Sequence, residues 1–469
     1  MRRDGRLSPP QEVVERALAA SRATQGCVVI VSDSGEVDVR FARNTTTTNG
    51  TRRYRHVSVA SFVGSGDGVA VGVASRSGAG DESEIDELVS ASEADAKRAP
   101  AAQDRSPLVV PKDVDPSFAD PAVETGAPVL AEVVGGLAGA FGRARAAGRV
   151  LAGFATHQVS TVYLGSSTGL RRRHVQPGGT LELVARSDDG ARSAWAGVGT
   201  EWFDDVDLTA LEERLACRLS WAQRHIELPA GRYETILPPD AAADLVVTLS
   251  EAMSGRDAED GRSVFSAPGG ATRVGERLSS LPFELRGDPG EPGLRCAPFV
   301  VTSASSADVS VFDNGAEIGR TTWIEEGRLA RLQYHRAAAT RSGTDPAYGV
   351  DNLTLELTGA TASLEELVSR TDRALLLTCL WYIREVDPQT LLLTGLTRDG
   401  VYMVEHGEVT GAVNNFRFNE SPVDVLARTI EAGRSERALS REWGEWMSRT
   451  SMPSLRVADF NMSSVSPAT

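Results

Sequence analysis

Short segments in which every second residue is apolar follow one another through the first hundred residues. Val37, Val39 and Phe41 alternate in this way, and the pattern returns in two later segments. Because the side chains of a strand alternate between the two faces of a sheet, a period of two predicts half-buried β-strands. The connections have hairpin length, which antiparallel strands allow and parallel strands do not. We therefore expect an antiparallel sheet, with helices over residues 10–21 and 83–97.

Turn-forming residues divide the predicted strands. Asp33-Ser34-Gly35 predicts a turn, and Asp189-Gly190 predicts a hairpin after a strand at 180–186. Two further strands are expected at 150–157 and 160–165. The stretch Gly165-Ser166-Ser167-Thr168-Gly169 matches the GxSxG pattern of a hydrolase nucleophile. A strand-like segment follows it where a nucleophile elbow requires a helix, so we interpret it as a hairpin tip.

Composition and periodicity change along the chain, and the changes predict its domains. Six prolines between residues 100 and 128 indicate an extended connector. Beyond residue 231 short strands dominate, two of them expected at 298–303 and 308–312. The predicted fold class is α+β, with an N-terminal α/β domain whose small, mostly antiparallel sheet is flanked by helices, and a strand-rich C-terminal domain with an antiparallel, barrel-like sheet. The predicted parts are an N-terminal helix–strands–helix domain at 1–98, a connector at 99–128, a central α/β region at 129–230 and a C-terminal β-rich domain at 231–469.

Charge and cysteine content exclude several classes of protein. The chain carries 49 Lys and Arg against 64 Asp and Glu, a net charge of −15, which argues against direct binding of nucleic acid. The apolar runs are too short to span a bilayer, so we expect no membrane segment. Four separated cysteines without a CxxC pair, and a charged N-terminus that lacks an apolar core after it, favour the reducing cytoplasm.

Metal chemistry has no local motif in this sequence. The chain has six histidines, none begins HExxH or HExxxH, and no two are closer than 17 positions. A zinc site usually has at least two ligands at short spacing. A site assembled from distant residues stays open, with Glu251, His335 and Cys379 as its candidates.

Several ordered segments of the second half carry a family resemblance. They resemble the TldD/TldE (PmbA) family of peptidase subunits, and the TldE-like branch in particular. The resemblance covers nearly the whole chain and rests on the order and spacing of the pieces. The segments are Gly231-Arg232-Tyr233-Glu234-Thr235-Ile236-Leu237-Pro238-Pro239, Phe312-Asp313-Asn314-Gly315, Asp351-Asn352-Leu353-Thr354-Leu355 and Gly395-Leu396-Thr397 with Val404-Glu405-His406-Gly407.

The chain departs from the family pattern at the positions that carry catalysis. The TldD branch has HExxxH on its central helix and a Cys ligand in its C-terminal sheet, whereas the matching helix here, residues 240–252, has no His. Cys379 lies near the expected Cys, but an ungapped count from Tyr402 and Gly407 puts Ile383 at that place. We therefore assign no catalytic residue, no cofactor-binding residue and no metal ligand to this chain.

The resemblance implies a non-catalytic subunit of a zinc metallopeptidase. Its partner would be a TldD-like, HExxxH-containing chain that holds the zinc, so no cofactor is expected here, and proteolysis of unfolded or leader peptides would require the partner. A homodimer in the partner's absence stays open. The alternatives are a stand-alone peptidase with a dispersed metal site, or a peptide- or protein-binding modulator of the kind named for DNA gyrase.

Overall fold

The structure is a computed structural model that describes residues 8–65, 68–78, 81–113 and 115–467. Residues 1–7 of the predicted N-terminal domain, and a few positions of the other predicted parts, lie outside these ranges. The described chain is a mixed α+β protein built around two large sheets, which confirms the predicted fold class.

The first sheet is antiparallel throughout and has the order β3-β2-β1-β4-β5-β6. Its strands come from both sides of the proline-rich connector. The strands are β1 Gly26–Ala42, β2 Thr45–Ser65, β3 Gly68–Ser77, β4 Arg149–Ser166, β5 Arg171–Ser187 and β6 Ser193–Thr200. The helices of this half are α1 Pro10–Ala20, α2 Glu82–Arg98, α3 Ala131–Ala146 and α4 Leu208–Trp221, with short 3-10 turns at Pro116–Ala119 and Ala127–Leu130.

The alternation along β1 assigns the two faces of this sheet to different partners. Val31 is buried in a cluster with α1 and α2, and Val39 is buried in a cluster with α3 and α4. Ile30, which points to the opposite face, is buried with Phe299 and Phe312 from the C-terminal half. One face therefore carries the helices and the other packs against the rest of the chain.

The second sheet has fourteen described strands and is mixed. Its main order is β13-β12-β11-β14-β22-β8-β15-β18-β19-β7, while β16, β17, β20 and β21 branch from β22. Most pairs are antiparallel, but β14 with β22, β8 with β15 and β7 with β19 are parallel. The strands are β7 His225–Ile226, β8 Gly231–Leu237, β11 Phe283–Gly287, β12 Thr321–Glu325, β13 Arg328–Leu329, β14 Leu353–Leu357, β15 Arg373–Leu377, β16 Leu380–Asp387, β17 Leu392–Thr397, β18 Val401–Glu405, β19 Glu408–Val413, β20 Phe416–Glu420, β21 Thr429–Ala438 and β22 Thr450–Val465.

The remaining elements of this half are short, apart from one central helix. A small hairpin pairs β9 Ser266–Ala267 with β10 Ala271–Thr272, and 3-10 turns lie at Pro268–Gly270 and Val311–Asp313. The helices are α5 Pro239–Glu251, α6 Gly255–Glu259, α7 Arg336–Ser342, α8 Leu364–Ser369 and α9 Pro422–Arg428. In the part of the chain that the structure describes, none of the helices has the length and apolar character needed to cross a bilayer.

Two predicted boundaries in the first sheet are wrong. In place of a turn at 33–35, β1 continues, and in place of two strands at 150–157 and 160–165 a single strand, β4, is formed. Asp33 faces Arg55 on β2, with Oδ1 2.5 Å from Nε, and Ser34 donates to Ser160 on β4 at 3.0 Å. These cross-strand partners satisfy the polar side chains that suggested a turn, so the strand persists.

The predicted strands at 298–303 and 308–312 are also wrong. Phe299 forms only an isolated bridge with Glu317, and Val311–Asp313 is a 3-10 turn that Ser310 caps. The apolar residues that suggested strands pack instead against the first sheet, where the rings of Phe312 and Phe62 lie 4.8 Å apart. Tertiary packing has here taken the place of sheet pairing.

The predicted hairpin tips are confirmed. Asp189-Gly190 lies between β5 and β6, and the GxSxG stretch joins β4 to β5, with the hydroxyls of Ser166 and Thr168 2.6 Å apart. The barrel-like character is corrected, because in the described strands the two ends of the second sheet, β13 and β7, do not pair and the sheet stays open.

Candidate functional site

Helix α5 occupies the place where the sequence resemblance puts the central helix of the family. Pro239 stands in its first turn, where a missing N–H costs nothing, and residues 240–249 are all buried. The helix packs against β21, β22 and α9. A helix that is buried on every side is a core element, so polar residues on it need partners from the surrounding chain.

Asp244 is the most deeply buried carboxylate of α5, with 1% of its surface exposed. Its Oδ1 accepts hydrogen bonds from Ser440 Oγ at 2.5 Å and from the backbone N–H of Glu442 at 3.0 Å. Its Oδ2 is buried without a hydrogen-bond partner among the described residues. Burial raises the pKa of Asp244 to about 7, although the hydrogen bond from Ser440 opposes the shift.

A segment between β21 and β22, residues 439–447, covers this face of α5, and we call it the cover segment. The backbone N–H of Leu439 donates to Asp240 Oδ1 at 3.0 Å, and the indole N–H of Trp443 donates to the backbone oxygen of Asp244 at 3.0 Å. Together with the bonds to Asp244 these contacts follow the helix over more than one turn. Asp240 and Asp244, each through its Oδ1 atom, are therefore bound by the chain's own cover segment.

Arg441, in the same segment, connects the two halves of the molecule. Its Nη1 lies 2.7 Å from Cys379 Sγ and 2.8 Å from Asp399 Oδ2. Its guanidinium group lies 4.7 Å from the ring centre of Trp381 and 5.5 Å from that of Trp195 on β6 of the first sheet. A planar cation between two indole rings and a carboxylate is a well-satisfied buried charge.

The charge of Arg441 acts differently on its two neighbours. Burial raises the pKa of the Cys379 thiol to about 12, and the attraction of Arg441 only partly opposes this. Burial also acts to raise the pKa of Asp399, but Arg441 and a hydrogen bond from Ser193 outweigh it, so the pKa lies below its usual range. At neutral pH the thiol is protonated and the carboxylate is ionised.

These residues do not fit a zinc ion. Zinc takes thiolates, carboxylates or neutral imidazoles as ligands, whereas the Sγ atom of Cys379 faces the guanidinium cation of Arg441. In the described part of the chain, His, Cys, Asp and Glu side chains form no group of three or more that could hold a metal ion.

The three residues considered for a dispersed metal site have different neighbours. Cys379 contacts Arg441, and Glu251 lies at the end of α5 beside a separate cleft. His335 is the N-cap of α7, where its Nδ1 accepts from the N–H of Ala338 at 3.3 Å, and its Nε2 is buried without a described partner. Ile383, the position reached by counting, is a buried residue of β16. That this chain holds no metal ligand stays a prediction.

Sequence reasoning did not single out the cover segment. Its letters, Ser440-Arg441-Glu442-Trp443-Gly444-Glu445-Trp446, combine two tryptophans with charged residues in a stretch without strand or helix periodicity. Tryptophans in a polar loop indicate a loop that packs down onto the protein. That pattern is the signal by which the segment could have been found.

Comparison with solved structures defines the class of fold. TldE from Thermococcus kodakarensis is 17% identical, with a TM-score of 0.77 over 96% of this chain and 99% of that chain. A putative modulator of a DNA gyrase from Thermotoga maritima MSB8 is 16% identical, with a TM-score of 0.73 over 96% and 99% of the two chains. A putative modulator of DNA gyrase from Bacteroides thetaiotaomicron VPI-5482 is 16% identical, with a TM-score of 0.70 over 97% and 98%. At these identities the likeness shows a shared two-sheet fold over nearly the full length of each chain.

The family follows from the sequence of the second half. The family model described as the PmbA/TldA metallopeptidase C-terminal domain matches residues 230–464, slightly more than half of the chain. The chain belongs to the TldD/TldE (PmbA) family, which confirms the resemblance noted in its sequence. No curated protein sequence matches it.

Proposed function

We propose that this chain is a non-catalytic, TldE-like subunit of a two-chain zinc peptidase that acts on unfolded or leader peptides. A TldD-like partner would hold the zinc ion, which lowers the pKa of its bound water to about 7 and so supplies the attacking hydroxide. This chain would contribute the wall of the chamber, exclude bulk water and position the peptide.

The proposal rests on the contacts that side chains of α5 and Cys379 make with the cover segment. Asp240 and Asp244 are both bonded to the cover segment, and Arg441 lies against Cys379. The Oδ1 atoms of Asp240 and Asp244 and the Sγ atom of Cys379 thus already have partners within the cover segment. Asp244 Oδ2 has no partner among the described residues, but the His, Cys, Asp and Glu side chains of those residues form no group of three or more that could hold a metal ion. An accessory role is consistent with that arrangement.

A large cleft supports a role in holding a peptide. It has a volume of about 1220 Å³ and lies between the β5–β6 hairpin tip and the strands β18, β19 and β7 of the second sheet. Asp399, Tyr402, Arg186 and Arg192 are among the residues that line it. Among the described strands β7 is the edge strand here, because β19 pairs with both β18 and β7, and an extended peptide could add its backbone to β7, as in strand addition.

The test is to express this chain alone and together with an HExxxH-containing TldD-like chain. We expect the two chains to co-purify, zinc to be stoichiometric only in the complex, and a flexible peptide to be cleaved only by the complex. Stoichiometric zinc and full peptidase activity in the isolated chain would overturn the accessory role. Failure to recover any TldD-like chain would favour a binding protein of the gyrase-modulator type.

Two variants separate this proposal from a dispersed metal site. His335→Asn preserves a side chain that caps α7, and Cys379→Ser preserves a small polar side chain beside Arg441. If this chain is non-catalytic, the complex with either variant should cleave peptide within about twofold of the unchanged complex. A loss of about a hundredfold or more in zinc content or turnover with either variant would favour the dispersed site.

A further inference from the structure

A smaller cleft lies at the C-terminal end of α5, where Trp446 and Met447 of the cover segment line it. Its volume is about 390 Å³, within the range of pockets that hold small ligands or single side chains. Phe299, Trp323 and Trp446 form its aromatic walls. Trp446 belongs to the cover segment and is 47% exposed, so the cleft opens to solvent beside it.

The cleft is strongly acidic. Glu251, Asp308 and Asp351 line it, whereas no Lys, Arg or His among the described residues does. Asp308 Oδ1 is buried and has no hydrogen-bond partner in the described chain. Glu251 and Asp351 are exposed and Asp308 is half-buried, so Asp308 Oδ1 is the carboxylate atom whose burial a bound cation would compensate.

Burial acts on the ionisation of two of these carboxylates, the half-buried Asp308 and the exposed Glu251. Burial raises the pKa of Asp308, and a hydrogen bond from Ser254 opposes the rise only in part. Burial, with the nearby charge of Glu385, raises the pKa of Glu251. Both groups would regain their usual acidity if a positive charge entered the cleft.

We propose that this cleft binds the basic side chain, lysine or arginine, of an extended peptide. The inference rests on the proposed function, since it takes the occupant to be a peptide. The aromatic walls suit the apolar stem of such a side chain, and the rings can also face its cationic head. Asp308 Oδ1 would supply a buried acceptor, and the exposed Glu251 would supply a second carboxylate.

A divalent ion fits the cleft less well than an organic cation. Calcium and magnesium take six or more oxygen ligands, whereas apolar residues are the majority of those that line this cleft. The described residues here also form no group of three or more potential metal ligands. The chemistry of the lining therefore selects a cation that carries its own apolar surface.

The test measures binding of short peptides to the isolated full chain by calorimetry. The probes are acetyl-Ala-Ala-Lys-Ala-Ala-amide, the arginine peptide of the same length, and a norleucine peptide that keeps the stem without the charge. We expect the lysine or the arginine peptide to bind at least tenfold more tightly than the norleucine peptide. Equal affinity of the three peptides would overturn the proposal, as would displacement of the basic peptides by millimolar Mg²⁺ or Ca²⁺.

Variants locate the binding to this cleft. Asp308→Asn and Glu251→Gln should each weaken binding of the preferred basic peptide by about tenfold, and Trp446→Ala should weaken all three peptides. Glu132→Gln, which removes one exposed carboxylate from α3, is the matched control and should change nothing. Equal losses in Asp308→Asn and Glu132→Gln would place the binding elsewhere. If Asp308→Asn fails to fold, the surface variants Glu251→Gln and Trp446→Ala still test whether the peptides bind in this cleft.

The two proposals fail separately. Peptide binding is measured without the partner and without zinc. The chain can therefore bind the basic peptides even if no TldD-like chain co-purifies with it. A chain that assembles with its partner but does not distinguish lysine or arginine from norleucine would leave the subunit role standing and remove the cleft proposal.

Discussion

At the scale of single residues, the centre of this protein holds charges in unusual places. Asp244 is a carboxylate inside a hydrophobic helix. Its Oδ1 accepts two hydrogen bonds, and its Oδ2 accepts none from the residues that the structure describes. Arg441 is a cation that a carboxylate and two indole rings surround. Ionisation of Asp244 in this environment lowers the stability of the fold, whereas Arg441 has favourable partners in its charged form.

The pH dependence of stability should report on Asp244. Its pKa of about 7 lies above the value of 3.8 for an unperturbed carboxyl, so the folded chain binds this proton more tightly than the unfolded chain does. The resulting stability is complete below about pH 4 and is lost as the pH rises through about 7. Asp244→Asn cannot ionise. Relative to the unchanged protein, its free energy of unfolding should improve by up to about 1.4 kcal/mol per pH unit between pH 5 and 7 and then stay level.

Urea unfolding at pH 5, 6, 7 and 8 measures this difference. Asp424→Asn, which removes an exposed carboxylate from α9, is the control and should run parallel to the unchanged protein. A difference between Asp244→Asn and the unchanged protein that stays constant over this pH range would show that Asp244 is ionised throughout.

At the scale of elements, the cover segment joins a helix to the edge of a sheet. Among the described strands β16 pairs only with β17, and a bulge interrupts that pairing after Trp381. The carboxylate of Glu442 accepts the backbone N–H groups of Tyr382 at 2.8 Å and of Ile383 at 3.2 Å. One side chain thus takes the place of a neighbouring strand and protects an exposed edge.

Removing that carboxylate should loosen the edge of β16. In Glu442→Ala the amides of Tyr382 and Ile383 lose their acceptor, which is worth about 1–3 kcal/mol, so their hydrogen exchange should accelerate by about 5- to 100-fold. Glu445→Ala removes an exposed carboxylate from the same segment and is the control. Unchanged exchange at residues 382 and 383 in Glu442→Ala would mean that another group accepts these bonds.

The sequence predicted the elements that local pattern specifies. The apolar spacing of α1 and α2 and the turn chemistry of Asp189-Gly190 are local, and these elements formed as expected. The pairing of Asp33 with Arg55 and the packing of Phe312 on Phe62 are not local, and the predicted elements there were wrong. The contacts of Arg441 with Cys379 and Asp399 join residues 42 or more positions apart, so no spacing rule could have found the candidate site.

At the scale of the whole molecule, the two sheets meet through polar contacts as well as through the apolar face of the first sheet. Ser193 on β6 bonds to Asp399, and Arg437 on β21 pairs with Asp205, which follows β6. Asp399 is buried, so the contacts from Ser193 and Arg441 compensate a charge that would otherwise lack partners.

The predicted boundary at residue 231 can be tested through these contacts. A fragment of residues 231–469 would expose the buried surface around Phe299 and Phe312 and would take Trp195 and Ser193 away from Arg441 and Asp399. We expect this fragment alone to unfold at least 10 °C below the full chain, and to recover stability when residues 1–230 are co-expressed. Circular dichroism melts provide the measurement, and equal melting temperatures for fragment and full chain would show two independent domains.

The position of β22 in the sequence determines when the large sheet can be completed during biosynthesis. Residues 450–465 pair with β8, β14, β20 and β21, so the strand in the middle of the large sheet is made after all of its neighbours. At roughly 5–20 residues per second, a ribosome needs about 10 to 40 seconds to travel from β8 to β22. During that interval the strands already synthesised have unpaired edges. Chaperones that bind polypeptides emerging from the exit tunnel should therefore associate with this half of the chain until translation has passed residue 465.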